Sequence, residues 1–248
     1  MKLFGLIGYP LGHSFSAGYF ANKFEKEGII DCYYKNFPID NIQKLQRIIS
    51  ENNDLLGLNV TIPYKEQVIQ FLDEINEEAR KIGAVNTIKI TRGKDKIKLK
   101  GFNSDVYGFQ ASLQPHLKEY HQKALILGTG GASKAIKYIL KKLSIDFISA
   151  SIEELKEGEI RYADINKAMI EEHLLIINAT PLGTFPKIDS FPDIPYDYIT
   201  DKHVLFDLVY NPEETTFMRK GKQNGAFAIN GLQMLHLQAE KSWAIWNG

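Results

Sequence analysis

The fold of this chain is decided by the stretch KALILGTGGAS at residues 123–133. The apolar run at residues 124–127 predicts a buried parallel strand, which breaks into a turn rich in glycine at residues 128–131. Apolar residues then recur at helical spacing: Ala135, Ile136, Ile139, Leu140 and Leu143. A strand, a glycine turn and a helix are typical of the phosphate-binding corner of a dinucleotide-binding βαβ unit, because glycine lets the backbone approach the anion. Ser133 replaces the usual third glycine or alanine, and a tight turn without a ligand is the alternative.

Length and composition set broad limits on the function. The 248 residues are enough for one large or two small domains. Lys and Arg equal Asp and Glu at 30 each, so nothing in the overall charge indicates nucleic acid or an anionic membrane. Cys32 is the only cysteine, which excludes an intramolecular disulfide and a cysteine-rich metal site. The sequence shows no signal peptide and no apolar run of 18 residues, so we expect a cytoplasmic protein.

Two hydroxyl groups lie close together in the first predicted loop. The loop covers residues 8–16 and leads into a helix that Gly28 ends. Ser14 and Ser16 are two residues apart, so both could donate to one carboxylate. Taken alone, they are more typical of turn and N-cap residues, and His13 of a structural histidine. A structural role and a binding role are therefore both open for this loop.

A lysine follows the strand pattern at residues 57–62. Pro63 bounds the turn after it, and the pattern predicts that Lys65 opens the next helix. A cation in the first turn faces the positive end of the helix dipole, an unfavourable position that would suit a lysine that transfers protons. A lysine that faces solvent is the alternative. Residues 83–88 predict another strand, which ends the first αβ run.

A basic segment separates this run from the next helix. Residues 89–100 contain six basic residues and one acidic residue, interleaved with apolar ones. This pattern favours an exposed hairpin over a nucleic-acid surface. Residues 101–105 then start a helix, with Asn103 or Ser104 as the cap. Asp105 in the first turn suits the helix dipole whether or not it has a function.

The strand after the glycine turn lacks the charged group that such units usually carry. Residues 145–149 predict this strand, which ends in Ser149, Ala150 and Ser151. An acid near this point usually binds the ribose, or a basic residue binds a 2′-phosphate. Further strands are predicted at residues 174–178, 204–208 and 226–229, with a final helix at residues 231–246.

Eight short segments together resemble the shikimate dehydrogenase family across nearly the whole chain. Each is unremarkable alone, but they follow the family's order and approximate spacing. They are GYP at 8–10 with HSFS at 13–16, NVTIPYK at 59–65, GAVNT at 83–87, GFNSD at 101–105, GTGG at 128–131, NATPLG at 178–183, DLVYNP at 207–212, and GL at 231–232 through QA at 238–239.

The resemblance implies an NADP-linked enzyme that interconverts 3-dehydroshikimate and shikimate by hydride transfer, in aromatic amino acid biosynthesis. The implied fold class is α/β, with an N-terminal αβ substrate-binding domain at residues 1–104 and a Rossmann-type dinucleotide-binding domain at residues 105–230. The active site would lie in the cleft between them, and the last helix, residues 231–248, would return to the first domain. The implied partners are the small-molecule substrate and NADP, without nucleic acid or membrane, in a monomer or homodimer.

The resemblance also implies roles for individual residues. Lys65 and Asp105 would be the catalytic pair. Either could transfer the proton, and we expect Lys65 to be the general acid/base, with Asp105 orienting the substrate hydroxyl and stabilising Lys65. The substrate-binding residues would be Ser14 and Ser16 at its carboxylate, and Thr61, Asn86, Tyr210 and Gln238 at its ring and hydroxyls. The cofactor-binding residues would be Gly128, Gly130, Gly131, Ala132, Thr180, Leu208, Gly231 and Met234. This chemistry requires no metal.

One departure from the family concerns the cofactor. Ala150 stands where the family usually has an arginine that clamps the 2′-phosphate of NADP. We therefore expect NADP to be used with weaker discrimination against NAD. Ala17, Phe20, Ser104 and Thr184 also depart from the family's usual residues, but none of these removes a group assigned to chemistry.

Two other functions compete with this interpretation. The first is a quinate/shikimate dehydrogenase that uses NAD, since quinate has one more ring hydroxyl and the sequence does not resolve the pocket shape. The second is a nucleotide-binding sensor that has lost catalysis. A degenerate copy commonly loses one of the catalytic pair, and both Lys65 and Asp105 are present.

Overall fold

The computed structural model describes residues 1–12, 14–94 and 96–248. The chain forms two compact units. Unit 1 contains Met1–Tyr107 and Gln238–Gly248, and unit 2 contains Gly108–Leu237. His13, a candidate residue, and Asp95, the acid of the basic segment, lie outside the described residues. How these units divide substrate and cofactor binding stays a prediction.

Helices and strands alternate along much of the chain. The helices are α1 (Phe15–Lys26), α2 (Leu45–Glu51), α3 (Glu77–Ile82), α4 (Asp105–Leu113), α5 (Gly131–Lys142), α6 (Lys167–Glu172), α7 (Thr216–Gln223) and α8 (Leu232–Asn247). The strands are β1 (Lys2–Gly8), β2 (Cys32–Pro38), β3 (Leu55–Val60), β4 (Glu74–Ile75), β5 (Thr87–Arg92), β6 (Ile97–Phe102), β7 (Lys123–Leu127), β8 (Asp146–Ser151), β9 (Glu159–Arg161), β10 (Leu175–Asn178), β11 (Val204–Asp207) and β12 (Phe227–Ile229).

The sheet of unit 1 is mixed and has apolar side chains on both faces. Its strand order is β2-β1-β3-β5-β6-β4, with β1 parallel to its two neighbours and β5 antiparallel to its own. Because side chains alternate along a strand, Leu3 and Ile7 join one core and Phe4 joins another. The second core contains Trp246 of α8. Gly57 makes room for it, since a Cβ there would lie 2.4 Å from the indole.

The sheet of unit 2 is entirely parallel. Its order is β12-β11-β10-β7-β8-β9, so in chain order the strands follow the 3-2-1-4-5-6 pattern of a Rossmann fold. The buried parallel strand predicted at residues 124–127 is confirmed as β7, which pairs with β8 and β10. Between β7 and β10 the strand order reverses, and ligands of such sheets bind at the carboxyl ends of the strands there.

The first αβ run differs from the prediction at one strand. The strand predicted at residues 83–88 is wrong in its start, because β5 begins only at Thr87. Gly83 instead ends α3 in the left-handed conformation, with a φ of 72°. That short helix was not predicted. The hairpin predicted at residues 89–100 is confirmed by the antiparallel pairing of β5 with β6.

Two features are absent from the described part of the chain, a helix that could cross a membrane and a side-chain cluster that could hold a metal ion. None of its helices combines the length and the apolar character that crossing a membrane needs. Across residues 1–12, 14–94 and 96–248, no three His, Cys, Asp or Glu side chains group in a way that could hold a metal ion.

Candidate active site

A buried ion pair joins Lys65 to Asp105 in unit 1. Lys65 lies in the turn after β3, where its carbonyl oxygen accepts a hydrogen bond from Val85 N at 2.7 Å. Asp105 is the first residue of α4, and its N–H donates to Asn103 Oδ1 at 3.1 Å. The distance from Lys65 Nζ to Asp105 Oδ2 is 2.8 Å. The two side chains are 19% and 6% exposed, so the pair is largely shielded from water.

The prediction that Lys65 opens a helix is wrong. A turn closes just before it, with Tyr64 N donating to Thr61 O at 2.9 Å. The helix that follows is a short 3₁₀ helix, Gln67–Phe71, with Glu66 at its N-cap. Lys65 therefore precedes the helix and does not stand in its first turn. The charged group next to Lys65 Nζ is the carboxylate of Asp105.

Asn86 faces Gln238 in the same unit. Asn86 is 4% exposed, and its Oδ1 accepts a hydrogen bond from Ser104 N at 2.7 Å. Because a backbone N–H can only donate, the atom facing it must be the amide oxygen. The Asn86 NH₂ group therefore faces the other way, where Nδ2 lies 3.4 Å from Gln238 Oε1. The structure brings these two predicted substrate residues together.

The Ser14 hydroxyl is buried and lacks a hydrogen-bond partner among the described residues. Ser14 stands at the N-cap of α1, but its side chain makes no capping hydrogen bond. A buried hydroxyl left in this way is costly unless an acceptor or donor satisfies it. Ser16 lies in the first turn of α1 and is hydrogen-bonded to Tyr34. The capping role considered for Ser14 is therefore not what its side chain does.

Thr61 follows β3 and lies against the end of β1. Its N–H donates to Ile7 O at 3.0 Å. Gly8 permits this contact, since a Cβ there would lie 2.4 Å from Thr61 Cγ2. The absence of a side chain at Gly8 thus leaves room for the half-buried Thr61 side chain.

Tyr210 belongs to unit 2, in the loop after β11. Partial burial raises the pKa of Tyr210 above its ordinary value. Its hydroxyl is therefore protonated at neutral pH and can both donate and accept a hydrogen bond.

The glycine turn of unit 2 is shaped by close approach on one side and open space on the other. Gly128 has a φ of 100°, and a Cβ there would lie 2.8 Å from Thr180 Cγ2. Gly130 caps α5 and Gly131 begins it, and a Cβ at either would meet no described atom within 4 Å. Ser133 is tolerated in place of the usual small residue because its buried hydroxyl donates to Gly130 O at 2.6 Å. The turn fits a bound phosphate, since exposed backbone faces free space at the start of a helix.

The other predicted cofactor residues also lie in unit 2. Leu208 and Gly231 are in direct contact, because a Cβ at Gly231 would lie 2.2 Å from Leu208 O. Ala132 is half-buried in α5, and Met234 is buried in the first turn of α8.

A buried carboxylate at the carboxyl ends of the parallel strands was missed by the sequence analysis. Asp207 ends β11 beside Asn178 of β10, and it accepts hydrogen bonds from Asn178 Nδ2 at 2.9 Å and Thr215 Oγ1 at 2.5 Å. Burial raises the pKa of Asp207 to about 6, against these hydrogen bonds. Asn178 Oδ1 also accepts from Thr180 N at 3.0 Å, so the network shapes the Thr180 loop. In the sequence, this network is indicated by a polar residue at the end of each of two apolar strands, Asn178 and Asp207.

The residue that the resemblance places at the 2′-phosphate, Ala150, lies inside unit 2. Ala150 is fully buried and lies in the apolar core of unit 2 with Leu125 and Leu127, so a side chain there points into the protein. Ser151 is the last residue of β8, and its Oγ lies 3.2 Å from Thr129 Oγ1 of the glycine turn. The next residue, Ile152, is 92% exposed. Ile152 is therefore the first exposed residue after β8, and it follows the serine that contacts the glycine turn.

Comparisons with known proteins point to one family. A family model described as the shikimate dehydrogenase substrate binding domain matches residues 6–88. A curated shikimate dehydrogenase (NADP(+)) from Methanococcus maripaludis is 38% identical, with 100% of this chain and 92% of the relative covered.

Solved structures agree with the sequence relatives. A chorismate mutase/shikimate 5-dehydrogenase fusion protein from Clostridium acetobutylicum is 36% identical with a TM-score of 0.86, covering 100% of this chain and 91% of the other. A shikimate 5-dehydrogenase from Thermus thermophilus, in complex with NADP(H) and shikimate, is 28% identical with a TM-score of 0.84 and coverages of 100% and 94%.

Proposed function

This chain belongs to the shikimate dehydrogenase family, and we propose that Lys65 and Asp105 are its catalytic pair. The reaction is the reversible, NADP-dependent reduction of 3-dehydroshikimate to shikimate in aromatic amino acid biosynthesis. The observation that carries the assignment of residues is the 2.8 Å contact between Lys65 Nζ and Asp105 Oδ2. The ammonium group of Lys65, a proton donor, thus lies beside a carboxylate that can hold the lysine side chain in place.

The lysine supplies the proton in this proposal. Reduction of a ketone leaves negative charge on the carbonyl oxygen, and an ammonium group beside that oxygen can protonate it and stabilise the charge. In the reverse direction, the neutral amine accepts the proton of the substrate hydroxyl. Asp105 holds the Lys65 side chain in place and accepts a hydrogen bond from the same hydroxyl.

The substrate carboxylate is anchored at the start of α1. The buried Ser14 hydroxyl, which has no partner in the described part of the chain, gains an acceptor when the carboxylate binds. Ser16, the second residue of α1, is the other proposed donor to the carboxylate. The positive end of the helix dipole adds to the attraction for an anion.

The substrate ring is held by uncharged side chains. Asn86 and Gln238 are adjacent and together offer amide donors and acceptors to ring hydroxyls. Thr61, which packs against Gly8, and Tyr210, which is protonated at neutral pH, complete the proposed set.

NADP binds at the glycine turn of unit 2 in this proposal. The backbone N–H groups at the start of α5, around Gly130 and Gly131, would hold the pyrophosphate, because nothing described lies within 4 Å of a Cβ built at either. Thr180, Leu208 and Gly231 would contact the rest of the cofactor. When bound, NADPH supplies the hydride that reduces the carbonyl carbon.

Domain roles, cellular location and assembly follow from the same interpretation. Unit 1 would be the substrate-binding domain and unit 2 the cofactor-binding domain. A cytoplasmic location and a monomeric or homodimeric state stay predictions from the sequence.

The test is an absorbance assay of reduced nicotinamide with shikimate and quinate, each with NADP and with NAD. We expect the highest kcat/KM with shikimate and NADP. A higher value with quinate and NAD would favour the quinate/shikimate dehydrogenase. Nucleotide binding without turnover of either substrate would favour the sensor that has lost catalysis, and would contradict our proposal.

A further inference from the structure

We infer that Ser242 is a positioning residue that sets Gln238 opposite Asn86. The inference rests on the proposed roles of those two residues in binding the substrate. Ser242 lies in α8 four residues after Gln238, so both side chains are on the same face of the helix. Ser242 is fully buried and does not itself reach a substrate.

The Ser242 hydroxyl connects three separate parts of unit 1 to α8. Its oxygen lies 2.8 Å from Thr87 Oγ1 on β5 and 3.1 Å from Ser104 Oγ before α4. It accepts a hydrogen bond from Asn59 Nδ2 of β3 at 2.9 Å. It donates to Gln238 O at 3.0 Å. One hydroxyl thus joins α8 to two strands and to the start of α4.

Two of these contacts lie next to proposed site residues in the sequence. Thr87 follows Asn86 and donates to its Oδ1 at 3.1 Å. Ser104 precedes Asp105, and its Oγ also donates to Asn86 Oδ1, at 3.2 Å. The Asn86 oxygen is therefore surrounded by protein donors, and its NH₂ group is the part left to face Gln238. Ser242 ties the helix that carries Gln238 to the residues that orient Asn86.

The direction of the hydrogen bond between Asn59 and Ser242 is fixed from outside the site. Tyr34 donates to Asn59 Oδ1 at 2.9 Å, which leaves the Asn59 NH₂ group to donate to Ser242. Ser242 must accept there, so its own proton is available for Gln238 O. Thr87 and Ser104 are fully buried as well, so water cannot replace a lost partner without entering the core.

Ser242→Ala tests this inference, because it removes the hydroxyl and little volume. We expect the KM for shikimate to rise roughly tenfold, with a smaller change in kcat and no change in the Kd for NADP. Ser112→Ala is the matched control. Ser112 is also fully buried and bonds the carbonyl four residues earlier, Gly108 O at 2.7 Å, but it lies in unit 2. We expect a similar loss of Tm without a change in the KM for shikimate.

A double-mutant cycle separates this inference from the proposed function. In an Asn86→Ala background, Ser242→Ala should raise the KM little further, because one of the two side chains that Ser242 brings together is gone. If Asn86→Ala alone leaves the KM unchanged, the proposed role of Asn86 is wrong. If Asn86→Ala raises the KM and Ser242→Ala does not, or if Ser112→Ala raises it equally, the positioning role of Ser242 is overturned.

Discussion

Each unit buries one of the two carboxylates described above, Asp105 in unit 1 and Asp207 in unit 2, and the partners of the two carboxylates differ. Asp105 of unit 1 pairs with a cation, Lys65, at 2.8 Å. Asp207 of unit 2 has neutral donors in the side chains of Asn178 and Thr215, together with the Val209 N–H. A charged partner makes Asp105 part of a group that can move a proton. Neutral partners make Asp207 a structural acceptor that holds the ends of strands and loops.

The same contrast runs through the surroundings of the two carboxylates. The proposed site in unit 1 is made of side chains, and among the residues described the buried Ser14 hydroxyl has no hydrogen-bond partner. The glycine turn of unit 2 instead presents backbone, with open space around Gly130 and Gly131. Substitutions of side chains in unit 1 should therefore weaken the binding of shikimate first. Changes of shape or charge at the glycine turn should instead affect the binding of the dinucleotide.

The largest expected effect is at the ion pair. Lys65→Ala should lower kcat by roughly 10²–10⁴-fold, which is the usual contribution of general acid–base catalysis. The KM for shikimate should change much less, because the lysine mainly serves the transition state. Asp105→Asn keeps the shape without the charge and should also be severely impaired. Steady-state kinetics measure both, and a kcat near that of wild type in Lys65→Ala would remove the lysine from the mechanism.

Asp207 should affect the free energy of unfolding rather than kcat. Its pKa is raised from 3.8 to about 6 in the folded state, so between these values the folded protein binds more protons than the unfolded chain. Asp207 therefore makes the protein more stable as the pH falls from about 6 to about 4, by about 3 kcal/mol in total.

Asp207→Asn should remove this part of the pH dependence. The measurement is the free energy of unfolding in urea at several pH values between 4 and 7, for wild type and variant. An amide keeps an acceptor for the neighbouring donors and cannot ionise. If the difference between the two proteins does not vary with pH, Asp207 does not titrate in this range.

The substrate anchor should show a smaller and more selective effect. Ser14→Ala removes a donor to a charged acceptor, a hydrogen bond of roughly 1.5–3 kcal/mol, so shikimate should bind at least tenfold more weakly. NADP should bind as before, because its proposed contacts are in unit 2. Calorimetric titration with each ligand measures both, with Ser16→Ala as a second variant. Equal losses for shikimate and NADP would indicate misfolding instead.

The smallest expected effect concerns cofactor choice. Ile152→Arg places a guanidinium at an exposed position beside the glycine turn and should raise the preference for NADP over NAD by about tenfold in kcat/KM. Ala150→Arg is its control, because a charge at that buried position should lower the Tm without improving the preference. An unchanged ratio in Ile152→Arg would show that another basic group already holds the 2′-phosphate.

Local patterns predicted unit 2 better than unit 1. The strand, glycine turn and helix at residues 123–143 lie within one continuous segment, so their apolar spacing was enough. The pair of Lys65 and Asp105 lies 40 residues apart and was found through resemblance to a family. Ser242 lies 183 residues from Asn59, and no local pattern marks a buried serine as a connector.

The errors have physical causes too. The burial of Ala150 was not predicted because side chains alternate along a strand, and a run of small residues at its end gives no sign of which face is buried. The helix after Lys65 was placed too early because the turn closed by Tyr64 N comes first. The short elements β4, β9 and α6 were not predicted, since two to six residues carry little periodicity.

The lengths of the outer strands have a consequence for how the protein behaves at high concentration. In the described sheets, β9 and β12 have three residues each and β4 has two, whereas β2 has seven. A short outer strand offers few unpaired backbone groups to another chain, so three of the four edges resist intermolecular pairing. The remaining edge carries an exposed lysine, Lys35, and ends in Pro38, which has no N–H to donate. Resistance to aggregation is thus built into the ends of both sheets.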